Sequence, residues 1–230
     1  MRLSIIMPVL NEGERIAAAL SRLAPLRAAG AQMIVADGGS SDGTVGRALS
    51  HADVVVPAPR GRAVQMNAGA IEADGQALLF LHADTQLPGD AMELIASALR
   101  TAHWGRFDVT IEGRAPLLRT VSFMMNLRSR LTGIATGDQA MFMSRAAFDD
   151  IGGFPDIALM EDIAASKALK ALGPPACLRA KVITSGRRWE KHGVLRTILL
   201  MWRLRLAYFF GIDPAILARR YGYRPREEDS

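Results

Sequence analysis

Along the first half of the chain, short apolar runs alternate with segments whose apolar positions recur every three or four residues. LSIIMPV (Leu3 to Val9) is apolar and β-branched and stops at Asn11-Glu12. Glu14 to Leu26 then sets Ile16, Leu20 and Leu23 on one helical face. The pattern continues with AQMIVAD (Ala31 to Asp37) as a strand, Thr44 to Leu49 as a short helix and ADVVVPA as a third strand. Arg62 to Glu72 reads as helix, QALLFLHAD as a fourth strand and Gly89 to Thr101 as helix. Strands joined by helices on short connections predict a mostly parallel sheet covered on both faces. Such sheets bind ligands beyond the carboxyl ends of their strands, and Asn11-Glu12, Asp37 and Asp84 all fall at those ends.

The second half is less regular. Phe107 to Glu112 alternates like a strand, Leu117 to Leu131 reads as helix, and Ala140 to Met143 as a short strand before the turn Ile151 to Pro155. A helix from Asp162 to Leu172 stops at Gly173-Pro174-Pro175. A strand around Ala180 to Thr184 and a basic-apolar helix from Val194 to Phe210 follow, then a polar tail, RPREEDS, that reads as disordered. There is no internal repeat and no low-complexity linker. The expected organisation is an α/β domain over residues 1–190 and an appendage, an amphipathic helix plus the tail, over 191–230.

Composition narrows this picture. The chain has 230 residues, 50% hydrophobic and 22% charged, enough for one large globular core and unlike a disordered protein. The net charge of +5 is concentrated late, in residues such as Arg187, Arg188, Arg196, Arg203 and Arg205, which suggests an anionic partner. Nucleic acid fits poorly, because these arginines lie among Leu and Ile rather than on a polar face with stacking aromatics. The single cysteine, Cys177, excludes an intramolecular disulfide and a multi-cysteine metal site. The first apolar run is too short for a signal peptide, and no window of about 18 residues is apolar enough to span a bilayer. A cytoplasmic protein is expected. The segment 194–210 would pack on its own domain, pair in a homodimer, or lie on the inner face of the plasma membrane.

Several polar residues then stand out. Asp37 ends a strand, where a carboxylate can accept hydrogen bonds from a nucleobase or ribose. Asp42 can equally be the cap of the next helix. No Lys follows these glycines, so this is not a P-loop, and no GxGxxG occurs. Arg60, Gly61 and Arg62 open a helix, which makes either an anion site or a solvated basic turn. Asp84 at the end of FLHADT either faces a loop or holds Mg²⁺ or Mn²⁺, for which one carboxylate suffices if a diphosphate supplies the remaining ligands. His82 points to the same side as a neighbour of the site or as a core histidine. Glu161-Asp162 suit the dipole of a first helical turn, and also the role of a general base.

The order of these pieces resembles the family 2 glycosyltransferases. The segments that carry the likeness are SIIMPVLNE, ADGGSSDGT, GRAVQMNAGA, FLHADT, GDQAMFMSRAAFDDIGGF with MED, and GRRW, spanning Leu3 to Trp189. GRAVQMNAGA and LHADT are most similar to a small prokaryotic subgroup of single-domain, non-processive members. The resemblance implies the GT-A fold, a Rossmann-like sheet that binds a nucleotide-sugar. It implies that Pro8, Asn11, Glu12, Asp37, Arg60, Gly61, Arg62, Asn67, Ala83, Arg188 and Trp189 surround a nucleoside-diphosphate sugar, a UDP-sugar first. It further implies that Asp84 holds a divalent cation, Mn²⁺ or Mg²⁺, and that Asp162, beside Glu161, deprotonates the hydroxyl of a small or lipid acceptor in an inverting transfer. Three positions depart from the family pattern: Ala36 and His82 stand where acids are common, and Ser185 or Gly186 where the Gln of the last motif belongs. The competing expectations are a nucleotidyltransferase, which would need a glycine-rich loop that MPVLNEGER lacks, and a non-catalytic nucleotide-sugar-binding or membrane-associated protein that keeps the fold.

Overall fold

In β1 (Leu3–Val9) the side chains enter two cores alternately. Leu3, Ile5, Met7 and Val9 pack on one side of the sheet and Ile6 on the other, and all are buried. A strand apolar on both faces needs cover on both faces, which the helices provide. The computed structural model describes residues 1–223; the RPREEDS tail lies outside the described residues. The other strands are β2 (Gln32–Asp37), β3 (Val54–Pro57), β4 (Ala77–Phe80), β5 (Thr85–Gln86), β6 (Trp104–Glu112), β7 (Phe142–Ser144) and β8 (Ala176–Ser185). They form one eight-stranded sheet in the order β3-β2-β1-β4-β7-β6-β8-β5. The first four are mutually parallel, β7 runs antiparallel to both neighbours, β6 and β8 are parallel, and β5 is antiparallel to β8.

The helices are α1 (Ile16–Ala28), α2 (Thr44–Ala48), α3 (Arg62–Ile71), α4 (Ala91–Ala98), α5 (Leu117–Thr132), α6 (Arg145–Asp150), α7 (Glu161–Leu172), α8 (Arg187–His192), α9 (Val194–Phe209) and α10 (Pro214–Tyr221). One face of the sheet is covered by α1, α4 and α5 through residues such as Leu20, Ile95 and Val121. The other is covered by α3, α6 and α7 through Met66, Phe148 and Leu169. On that second face α3 comes so close that a Cβ on Gly69 would lie 2.5 Å from the Ile6 side chain, which leaves room only for glycine.

The elements expected from periodicity are present, with β6 and β8 starting earlier than expected and β4 ending at Phe80 instead of Asp84, which lies in the turn before β5. Four short ones were not anticipated. The two-residue β5 gives no pattern to read. The helices α6 and α10 announce themselves by caps instead of periodicity: Ser144 Oγ accepts from Ala147 N at 3.1 Å, and Asp213 Oδ1 from Ala215 N at 2.8 Å with Pro214 next in line. Residue 190 falls inside α8. Beyond it, Leu204 of α9 and Leu217 and Ala218 of α10 form a third apolar cluster with Leu159, Met160 and Ile163, at the entrance to α7.

Candidate active site

The order β3-β2-β1-β4 places the change of winding direction between β1 and β4, where the loops after the two strands diverge and leave a crevice. A cavity of about 230 Å³ opens there, lined by Pro8, Val9 and Glu12 from β1 and its loop and by His82, Ala83 and Asp84 after β4. Gln65 of α3 reaches under it and donates to the carbonyls of Val9 at 2.7 Å and Ala36 at 2.9 Å, tying the ends of β1 and β2. A second, larger cavity of about 470 Å³ adjoins it and holds Glu161 and Asp162. Arg62, His82 and Asp84 line both, so they stand at the junction.

At the β2 end, Asp37 is buried and its two oxygens differ. Oδ2 accepts from the backbone of Gly39 at 3.0 Å and Ser40 at 2.9 Å, whereas Oδ1 is buried with no partner among the described residues. Glu12 Oε2 is buried without a hydrogen bond, its nearest cation being Arg15 Nη1 at 3.7 Å, and Arg60 carries a buried Nε without a hydrogen bond, its guanidinium 5.5 Å from the Tyr223 ring. Buried polar atoms without partners are uncommon, and three at one rim mark a place where a polar ligand completes the set.

Asp84 is 30% exposed at the mouth of both cavities. One of its oxygens lies 3.3 Å from Arg187 Nη2 and the other 3.5 Å from the Thr184 hydroxyl. Among the described residues no group of three His, Cys, Asp or Glu side chains gathers to hold a metal. A single open carboxylate at the crevice still fits a hard cation that arrives with a diphosphate, since Mg²⁺-type sites take one or two carboxylates plus phosphate oxygens.

The acids of α7 are delivered by a strained residue. Met160, immediately before the helix, has φ +71, a conformation uncommon for a side chain of its size. Asp162 Oδ2 accepts from Gly137 N at 3.0 Å and Oδ1 from Ile163 N at 2.7 Å. Burial nonetheless raises its pKa above the ordinary value, against those two backbone donors. Glu161 is more deeply buried, with Arg62 Nη1 3.9 Å away, and burial together with the Asp162 charge pushes it up to about 7. Helix-terminal acids are normally favoured in their charged form, so here desolvation outweighs the dipole. Asp138 faces them from the turn Gly137–Gln139. Burial would raise it, but His82, whose Nδ1 is 3.4 Å from its Oδ1, and the charges of Arg62 and Arg188 hold it below the ordinary value. Arg62 stays firmly charged: Glu161, Tyr221, Asp138 and Asp162 more than offset its desolvation.

Arg188 and Trp189 of α8 reach the larger cavity. The Arg188 guanidinium lies 3.5 Å from the Tyr221 ring centroid and donates to the Tyr221 carbonyl at 2.6 Å, so α10 helps aim it. Five expected residues line neither cavity: Asn11, Asp37, Arg60, Gly61 and Asn67. Asn67 spends both ends of its amide on the backbone of Phe154, at 2.9 and 2.8 Å, and so clamps α3 to the Ile151–Pro155 turn. Asn11, at φ +54, accepts from Ser41 N and donates from its own backbone to Ser40 Oγ, which holds the DGGSS loop. Gly61 acts at the entry to α3, with φ +149. Sequence reading missed Asp138, Arg128, Arg187, Arg205 and Tyr221. Asp138 and Arg187 lie inside the GDQ and GRRW segments without a role being read for them, and Arg128, Arg205 and Tyr221 reach the site only through the packing of α5, α9 and α10.

Residues 4–152 match the sequence model of Glycosyl transferase family 2. A search of curated proteins finds no match. Among solved structures, a mannosyltransferase from Pyrobaculum calidifontis in complex with GDP-Man and Mn²⁺ is similar at TM-score 0.65 and 21% identity, over 97% of this chain and 65% of that one. S. aureus TarS gives TM-score 0.61 and 19% identity over 80% of this chain and 37% of that one. Glucosyl-3-phosphoglycerate synthase from Mycobacterium tuberculosis, in complex with Mn²⁺, UDP and glucosyl-3-phosphoglycerate, gives 0.56 and 18% over 79% and 70%. The chain thus spans between about a third and two thirds of the length of the first of these similar structures. At these identities the likeness is one of fold, the GT-A fold, and the family follows from the sequence match over more than half of the chain. The chain belongs to glycosyl transferase family 2.

Proposed function

We propose that the protein transfers a sugar from a nucleoside-diphosphate donor to an acceptor hydroxyl with inversion at the anomeric carbon. The observation that carries this reading is the meeting of two cavities at Arg62, His82 and Asp84, with the unpartnered oxygen of Asp37 beyond one and Asp162 in the other. The smaller cavity suits the donor. Asp37 Oδ1 accepts from the base, and Arg62 at the junction, with Arg188 beyond it in the larger cavity, faces the negative diphosphate. The donor is a UDP-sugar in the first instance, with a GDP-sugar as the second choice. A divalent cation, Mn²⁺ or Mg²⁺, fits at Asp84 and would neutralise charge on the departing diphosphate.

The larger cavity suits the acceptor. Its hydroxyl gives its proton to Asp162 while the oxygen bonds to the anomeric carbon, and the bond from that carbon to the diphosphate oxygen breaks with its electron pair leaving to the nucleotide. Attack from one cavity and departure into the other put nucleophile and leaving group on opposite sides of the carbon, hence inversion in a single step. The raised carboxyls of Glu161 and Asp162 suit a base that works near neutral pH. The reading includes contact with a membrane surface through α9. Its outward row Leu195, Leu199, Trp202, Leu206 and Phe209 is exposed, Arg196 and Arg203 flank it, and the helix carries no acid. An exposed apolar row flanked by arginines and free of acids suits the surface of an anionic lipid layer.

The test is thermal stabilisation by UDP, GDP and TDP, each with Mn²⁺, Mg²⁺ or EDTA, on the native protein and on Asp84→Ala, followed by nucleotide release from the matching donor. Binding that needs metal and is lost in Asp84→Ala supports the donor site. Binding with no nucleotide release for any acceptor supports the alternative, a non-catalytic nucleotide-sugar-binding protein.

A further inference from the structure

The far part of the larger cavity has walls that proton transfer does not use. They come from α5 and α9, through Met124, Met125, Ile198, Met201 and Trp202, and are mainly apolar. Two guanidinium groups interrupt them. Nε and Nη2 of Arg128 and Nε of Arg205 are buried with no hydrogen-bond partner among the described residues. Leaving charged donors unpaired is costly, and folded proteins rarely do so without a ligand or ion to supply the acceptor. Asp162 is the favourable charge Arg128 senses, while Arg106 opposes it, and burial pushes the Arg128 guanidinium below its ordinary value. What the two arginines lack is an acceptor at hydrogen-bonding distance, a place an anion fills. The apolar wall does not end inside the protein either: Trp202, which lines the cavity, is 67% exposed and continues into the outward row of α9.

We propose that the acceptor is an anionic amphiphile, whose phosphate or carboxylate pairs with Arg128 and Arg205 and whose apolar chain runs along Met124, Met201 and Trp202 toward the surface of α9. The role as acceptor rests on the transferase reading above, because it is the hydroxyl of this molecule that meets Asp162. The anion site and the apolar wall can be tested without any turnover.

Quenching of the tryptophan fluorescence, to which Trp189 and Trp202 in the cavity contribute, reads binding of three probes: dodecyl phosphate, dodecyl maltoside and glycerol 3-phosphate, each as monomer in solution. Stabilisation of the native protein by nucleotide and Mn²⁺ is measured alongside, so that loss of the donor site and loss of the acceptor site give separate signals. Dodecyl phosphate should bind at least about tenfold more tightly than either other probe, the size of one charge-assisted hydrogen bond. The preference should fall by about tenfold in Arg128→Gln and in Arg205→Gln. Because Arg128 is largely buried and its variant can fail to fold, Trp202→Glu is the second variant. It alters an exposed position, and should weaken dodecyl phosphate by placing a negative charge and no apolar surface on the wall. Equal binding of dodecyl maltoside, or an undiminished affinity in the folded arginine variants, overturns the anion site. Glycerol 3-phosphate binding as tightly as dodecyl phosphate overturns the amphiphile and points to a small free anion. No binding of any probe to the native protein overturns the whole inference even where nucleotide binds.

Discussion

The two carboxyls side by side at the start of α7 are both raised above their ordinary values, with burial the main cause in each. Glu161 is held at about 7 by burial and by Asp162, well above its ordinary 4.5. The folded protein therefore keeps a proton that the unfolded chain has already released between those values. Stability from this group is greatest below the unfolded pKa and falls as the pH rises through about 7. In Glu161→Gln the melting temperature should fall less between pH 5 and pH 8 than in the native protein. A native slope retained in Glu161→Gln would remove the basis for the raised carboxyl. At this scale the sequence showed that two acids open a helix. It did not show that Met160 adopts a left-handed backbone to deliver them, or that Gly137 N and Asp138 face them, since those partners are 20 or more residues away.

Among the elements, α5 bears most on the acceptor cavity, and it is anchored by a buried ionic network. Arg106 of β6 is fully buried, donates to Ser129 Oγ at 3.0 Å and pairs with Asp108, which also receives Arg130 Nη2 at 2.7 Å. Asn126 of α5 replaces a missing strand neighbour, accepting from Val109 N at 2.8 Å and donating to Val109 O at 2.9 Å. The helix that carries Met124, Met125 and Arg128 is thus fixed to the sheet by polar bonds instead of apolar packing alone. Removing one partner of a buried pair typically costs about 3–5 kcal/mol. Asp108→Asn, which leaves two guanidinium groups without a counter-charge, should lower the melting temperature by about 10 °C. It should loosen acceptor binding more than nucleotide binding, because β1 and β4 do not depend on it. A melting temperature within a degree of the native value would show the network to be solvated and idle. Periodicity read α5 as a helix, but the apolar residues it leaves outward, such as Phe123 and Leu131, conceal which face binds the sheet. The side-chain bonds from Asn126 and Arg106 decide that face.

The whole molecule closes its site with its last described helices. Tyr221 of α10 stacks on Arg188, and Leu217 and Ala218 pack on Leu159 and Met160 at the entrance to α7. The C-terminal segment thereby ties Arg188 to the entrance of α7, and leaves the outward row of α9 exposed. No helix among the described residues is long and apolar enough to cross a membrane. The protein is expected to float with vesicles of phosphatidylglycerol and to stay behind with vesicles of phosphatidylcholine, with flotation lost in Leu199→Glu and in Phe209→Glu. Both positions are exposed, so the fold should tolerate the change. Flotation unaffected by either substitution would assign the row to another partner.

Local patterning is enough for the parallel half of the sheet, its two-sided cover, Asp37 at the end of β2 and the Glu161-Asp162 pair at the start of α7, but it runs β4 on to Asp84, which lies in the turn before β5. Alternation and helical periodicity are local properties, and a carboxylate at a strand end is visible in a window of six residues. Packing between distant segments makes Asn67 and Asn11 hold loops, brings His82 to Asp138, and puts Arg128 and Arg205 in one cavity. Those outcomes depend on contacts between segments far apart in the chain. Their energies come from burial and from unpaired polar groups, neither of which leaves a period or a spacing to read.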